Sequence, residues 1–336
     1  MDLCAVNNGL DFHLFDHIAP LASMKQIPLI VTEPECAELC AKYYPEVTTK
    51  LYPDLEFRYK EIADQFDGLV HCRFWEPHMK ELFQSCYNKN MQLIFCPHGQ
   101  SDKGYGVPLL APYADQDVVL LYGDLLKEML TDLNVWDSIQ SHEYVGNYRL
   151  TYYRNHQERL SQSAKNEIFS HLNLKNKTLL YAPTWNDADE ATTFFKYCEK
   201  ILKDFPSHWN LILKLHPLLE QRNPALFYSL SALQQKRPNF ILVDKFPFIY
   251  PILDTIDAYL GDYSSVGYDV LTFEKPMFFL PHPKLPQARL HSCGQVLDPS
   301  KNLFDQIDSK LKQAEAFKPI QKNLYQRAFS NHCPMT

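Results

Sequence analysis

The sequence predicts an α/β protein of two successive parallel-sheet domains. Three observations carry this. Apolar runs of strand length alternate with amphipathic stretches, as in strands joined by helices. The alternation gives way to a polar stretch from about Leu150 to Asn176 and then restarts. In both halves the unusual polar residues stand directly after apolar runs, where open parallel sheets place their ligands.

The first half offers strands at Pro28–Val31, Gly68–Cys72, Gln92–Phe95, Val118–Leu121 and Tyr144–Gly146. Helical patterns lie between them, at Trp75–Asn88 and Leu125–Leu133. The second half restarts with Thr178–Ala182 and continues with Asn210–Lys214, Phe240–Val243, Ala258–Leu260 and Pro276–Leu280. Its helical patterns fall at Ala191–Leu202, Pro224–Gln235 and Val266–Phe273. Leu303–Ala328 has helical periodicity without the strong apolar content of a buried helix, and could pack back across the first domain. The expected division is a first domain at 1–150, a helical connection at 151–177, a second domain at 178–300 and a C-terminal segment at 301–336.

Bulk properties narrow the function. A length of 336 residues suits two domains, each with its own core. The net charge of −7 argues against binding a nucleic-acid backbone, while leaving room for a local positive cleft. The opening residues MDLCAVNNGLDFHLFDHI have no basic start before an apolar core, so no signal peptide is expected. No apolar run reaches bilayer length. The nine cysteines then read as reduced, buried thiols of a cytoplasmic chain. Cys36 and Cys40 could share a helix face, but no second pair has zinc-ligand spacing, so neither metal nor cofactor is inferred.

Four polar clusters follow strands. The first is Cys96–Pro97–His98–Gly99–Gln100–Ser101–Asp102–Lys103–Gly104. Histidine beside glycine at a strand end suits a general base, or is a loop residue without a role. Gly99 permits close backbone approach or a positive φ. Lys103 stands in a loop able to close on an anion. The second cluster is Pro183–Thr184–Trp185, where the Thr184 hydroxyl suits a phosphate oxygen and Trp185 suits a nucleotide face or the core. The third is Lys214–Leu215–His216–Pro217. His216 can donate to a phosphate or protonate a leaving group, or be a packed histidine; Lys214 adds charge or pairs with an acid. The fourth is Asp262–Tyr263–Ser264–Ser265 before a helix. Hydroxyls at a helix start suit a pyrophosphate, or are plain caps.

Together these residues resemble the CDP-glycerol glycerophosphotransferase family, the teichoic-acid primases and polymerases. The resemblance rests on His98–Gly99 with Lys103, Ala182–Pro183–Thr184–Trp185, Leu215–His216–Pro217 and Asp262–Tyr263–Ser264–Ser265. Asp269, Lys275–Pro276 and a corner at Gly146 and Arg149 also fall at family spacing. It implies a GT-B-like fold, two facing Rossmann-like domains with parallel sheets and a central cleft. It implies His98 as the base that activates an acceptor hydroxyl and His216 as the group that holds or protonates the donor diphosphate. Thr184, Lys214, Asp262, Ser264 and Ser265 fall on the donor side, and Gly99, Lys103 and Arg149 on the acceptor side. The implied reaction moves glycerol phosphate, or a related polyol phosphate, from a CDP-linked donor and releases CMP. The expected partners are a nucleotide-diphosphate donor and a hydroxyl acceptor, lipid-linked or polymeric, with no stable membrane anchor and at most transient contact with the inner face of the membrane.

The sequence departs from the family pattern at Asn186, at Gln100–Ser101–Asp102 and at Pro281–His282–Pro283. Three other readings therefore stay open. One is a GT-B glycosyltransferase using a nucleotide sugar, with Glu274 on the ribose or sugar. Another is a nucleotide-sugar 2-epimerase. The last is a non-catalytic nucleotide-binding protein.

Overall fold

The computed structural model describes residues 1–73, 78–102, 110–184, 190–216 and 218–329. Two parallel sheets organise it. The first contains β1 (Leu3–Asn7), β2 (Leu29–Val31), β3 (Thr49–Leu51), β4 (Gly68–His71), β5 (Gln92–Phe95), β6 (Val118–Leu121) and β7 (His142–Tyr144). Their order is β3-β2-β1-β4-β5-β6-β7. The second contains β8 (Lys177–Tyr181), β9 (Trp209–Lys214), β10 (Phe240–Val243), β11 (Ala258–Gly261), β12 (Met277–Phe279) and β13 (Gln295–Val296). Their order is β10-β9-β8-β11-β12-β13. Both sheets turn about their first strand, β1 or β8, so each has a switch point of the Rossmann kind beside that strand.

The chain falls into two compact units. One holds the chain up to Gly99, residues 110–155, and Ala328 and Phe329. The other holds Gln100, Ser101 and Asp102 together with His156–Arg327. The change of unit at Asn155 lies inside the stretch expected to be a connection. That stretch is filled by helices Tyr148–Asn155 and Gln157–Glu167.

The first sheet buries Leu93, Ile62, Phe66 and Phe83 on one side and Phe95, Leu121, Met129 and Tyr113 in a neighbouring cluster. In the second unit Leu179, Tyr181, Leu211, Leu213 and Trp209 form one core. The C-terminal segment is divided: residues up to Arg327 belong to the second unit, and Ala328 and Phe329 to the first. Leu303, Phe304 and Ile307 are fully buried in that core, and Phe304 packs on Phe205 and Trp209. Helix Lys318–Ala328 is tied to the same unit through Gln321, whose amide donates to the carbonyls of Lys275 (3.1 Å) and Cys293 (2.9 Å).

Three strands escaped the sequence pattern. β1 is central and almost wholly buried, but its run is short and ends in Asn7. β3 is an edge strand with exposed residues, and β13 has two residues. The strand expected at Tyr144–Gly146 lies at His142–Tyr144, because Gly146 turns with φ +59 toward the next helix.

Candidate functional site

The expected donor residues gather at the carboxyl ends of β8, β9 and β11. Thr184 and His216 line one small cavity, open to solvent and with room for about one water, together with Pro183, Thr192, Phe195 and Leu215. Its wall is mostly apolar, with the Thr184 and Thr192 hydroxyls and His216 as its polar groups. Helix Phe194–Asp204 supplies the aromatic side of this cavity, and Phe195 is 47% exposed there.

Asp262 organises this end of the sheet. It is completely buried. Its Oδ1 accepts from the Thr184 backbone N–H at 2.8 Å. Its Oδ2 accepts from the Thr193 N–H at 2.8 Å and the Thr193 hydroxyl at 3.0 Å. β8 and β11 are neighbours, with Leu260 opposite Tyr181, so the carboxylate spans the switch point and ties the Thr184 loop to it. Charge-assisted bonds of this kind are about twice as strong as neutral ones. The carboxylate is thus turned toward its own backbone, and its part in the site is to position Thr184.

Gly261 precedes it for a steric reason. A Cβ there would lie 2.0 Å from the Tyr259 hydroxyl. The Asp262 carbonyl accepts from His291 Nε2 at 3.3 Å, while His291 Nδ1 accepts from the Ala288 N–H at 3.1 Å. These partners fix the tautomer, and burial lowers the His291 pKa below the ordinary imidazole value.

Ser264 and Ser265 lead into helix Val266–Val270, which continues as a 3-10 turn over Leu271–Phe273. The Ser264 hydroxyl accepts weakly from the Val266 N–H, at 3.4 Å, and its carbonyl takes the Gly267 N–H at 3.0 Å. Ser264 is therefore the residue with cap contacts, and the Ser265 side chain makes no cap bond. Lys214 Nζ donates to the Phe246 carbonyl at 2.9 Å, which holds its charge beside the end of β9 and steadies the loop after β10. Glu274 pairs with Lys322 at 3.5 Å, and His282 donates through Nε2 to the Glu190 carbonyl at 2.9 Å.

The first unit carries a second assembly. His98 follows β5 and is exposed, with Gly99 after it at φ +116. His13, half-buried, meets His98 edge-on with ring centroids 6.2 Å apart. Buried His17 does the same at 6.5 Å. Sequence reading missed both. Their spacing of four on a helix start was the available signal, but only the fold brings them to His98.

Arg149 is placed differently from the expectation of an acceptor contact. It is buried, forms an ion pair with the Asp16 carboxylate, and donates through Nε to the Asp16 carbonyl at 2.8 Å. Its guanidinium is committed to the start of helix Phe15–Lys25. Lys103, Trp185, Asn186 and Pro217 lie outside the described residues. Among the described residues, no group of three or more His, Cys, Asp or Glu is arranged to hold a metal ion. No described helix is long and apolar enough to cross a membrane.

Two parallel sheets turning about their first strands, with polar residues at the strand ends, define a GT-B-like α/β protein. Comparison with known proteins agrees in fold. The chain superimposes on the wall teichoic acid polymerase TagF with a TM-score of 0.66 at 14% identity, over 98% of this chain and 85% of that one. It superimposes on the UDP-GlcNAc 2-epimerase of Methanocaldococcus jannaschii with a TM-score of 0.63 at 11% identity, over 96% and 99%. Residues 152–285 match the CDP-Glycerol:Poly(glycerophosphate) glycerophosphotransferase family. A 114-residue stretch is 30% identical to teichoic acid ribitol-phosphate polymerase TarL of Staphylococcus aureus, covering 31% of this chain and 18% of TarL. The family match covers residues 152–285, less than half of the chain. The chain's matched stretches amount to about a fifth of the length of the first curated relatives, TarL and TarK.

Proposed function

We propose that this chain transfers glycerol phosphate, or a related polyol phosphate, from a CDP-linked donor to an acceptor hydroxyl and releases CMP. The observation that carries the reading is the pairing of Thr184 and His216 on one cavity, inside the segment that matches the family. Relatives named as ribitol-phosphate and glycerol-phosphate polymerases support the class of group transferred. A TagF structure soaked with CDPG supports the class of donor.

In this reading Thr184, Ser264 and Ser265 hold the diphosphate oxygens. Lys214 adds positive charge close to them, and Asp262 keeps the Thr184 loop in place. The acceptor oxygen attacks the β-phosphorus in line with the bridging oxygen. The new bond joins that oxygen to phosphorus, and the bond from the β-phosphorus to the bridging oxygen breaks. CMP leaves with the bridging oxygen. His98 takes the proton of the acceptor hydroxyl, and His216 donates to the diphosphate as charge develops on the leaving CMP. Little covalent work falls to the protein in such a step; positioning and charge stabilisation carry it.

The test is CMP release from CDP-glycerol and CDP-ribitol by the purified chain, with a polyol-phosphate acceptor and UDP-GlcNAc as the competing donor. Acceptor-dependent CMP release that is lost in His216→Ala supports the reading. Turnover of UDP-GlcNAc alone moves the chain to nucleotide-sugar chemistry. Nucleotide binding without turnover of any donor makes it a binding protein.

A further inference from the structure

The backbone just before His98 is held by an aromatic hydroxyl. Tyr122 Oη donates to the Pro97 carbonyl at 2.8 Å. A phenol has one proton, and that bond uses it. The contact between the same oxygen and His17 Nδ1, also 2.8 Å, therefore has the imidazole as donor. His17 is the Nδ1–H tautomer, and its Nε2 carries the lone pair.

The carbonyl of His17 is held as well. It accepts from Tyr148 Oη at 3.0 Å, and the Tyr148 ring stacks on Tyr122 with centroids 5.7 Å apart and planes 6° from parallel. One residue earlier, Asp16 is paired with Arg149. Residues from four separate stretches of the chain thus form one frame around His17. The His17 ring stands edge-to-face with His98, centroids 6.5 Å apart, and none of this frame is used by the donor site.

We propose that His17 is a positioning residue for His98: fixed as the Nδ1–H tautomer by Tyr122, it holds the ring orientation that His98 meets edge-to-face, while the same hydroxyl fixes the Pro97 carbonyl beside it. Burial supports this by keeping His17 neutral. Its pKa lies well below the ordinary imidazole value, through desolvation first and then the positive charges of Arg149, His98 and His13. A base aligned on an acceptor hydroxyl loses rate quickly when its orientation loosens. The inference rests on the reading of His98 as the base.

Tyr122→Phe removes one oxygen and keeps the ring stack. It is expected to lower kcat about tenfold with KM for the CDP-linked donor within about twofold, because an aligning bond is lost and the donor residues are untouched. The second readout is independent of turnover. In ¹⁵N-histidine spectra of the whole chain, His17, assigned by its loss in His17→Asn, should show the Nδ1–H pattern and shift toward a tautomer mixture in Tyr122→Phe. An Nε2–H pattern in the unmodified chain overturns the proposal. So does a tautomer, or a kcat, that does not respond to Tyr122→Phe. His98→Ala separates the two claims. If it keeps full turnover, the base assignment falls and this inference with it. If it abolishes turnover while Tyr122→Phe changes nothing, this inference falls alone.

Discussion

The donor end of the second unit and the histidine frame of the first unit are built in opposite ways. At the donor end, one buried carboxylate does the organising. Asp262 gathers the backbone of Thr184 and Thr193 at a switch point, beside the cavity that Thr184 and His216 line. In the first unit no single residue organises the loop. His98 is exposed, and its setting comes from a relay of Arg149, Asp16, His17, Tyr148 and Tyr122. The donor end fails at one residue. The histidine frame spreads its ordering over several contacts, of which the Arg149–Asp16 ion pair is the costliest to break.

Substitutions can break that contrast, beginning with the largest expected effect. Arg149→Met leaves the Asp16 carboxylate buried without its partner, and should cost about 4 kcal/mol of stability, measured by denaturant unfolding. Restored stability in the pair Arg149→Met with Asp16→Asn would show that the charge, and not the arginine's packing, was at stake. Asp262→Ala strips acceptors from two buried backbone N–H groups. It should cost about 3 kcal/mol and abolish donor binding by calorimetry. A variant that binds donor normally would remove Asp262 from the account.

Acid sharpens the comparison from another side. His71, fully buried at the end of β4, has its pKa lowered by burial to about 4. A depressed histidine favours the neutral form in the folded chain. Its share of stability is complete above the unfolded value of about 6.5 and is lost as pH falls toward the folded value. The loss by pH 4 is about 3 kcal/mol for His71 alone. The pH dependence of unfolding should flatten in His71→Phe; a profile unchanged between pH 6.5 and 4 would contradict the assignment. Next in size, His216→Ala should lower turnover about 100-fold with folding intact, measured by CMP release. The smallest effect is expected from Ser264→Ala with Ser265→Ala. That pair should weaken the CDP-linked donor about tenfold by calorimetry, the loss expected for two hydroxyl contacts.

The same contrast explains what could be read from the sequence. The donor end was legible because its residues stand directly after strands: Thr184 after β8, His216 after β9, Ser264 after β11. Local order places them, and the parallel sheet brings the strand ends together. Asp262 was found but read as a diphosphate contact, since nothing local reveals that its oxygens are taken by backbone 78 and 69 positions away. The histidine frame was mostly invisible. Arg149 and Asp16 are 133 positions apart, and Tyr122 and Tyr148 read from the sequence as ordinary core aromatics. Leu303, Phe304 and Ile307 were underestimated because three apolar residues on one short helix are few until Trp209 and Phe205 are seen beneath them.

The most direct measurement is acceptor-dependent CMP release from CDP-glycerol by the purified chain, beside His98→Ala and His216→Ala. The expected result is release by the unmodified chain and a fall of about 100-fold in each variant, with both variants folded. Near-normal release in both folded variants, or none from the unmodified chain with any CDP-linked polyol, would contradict it.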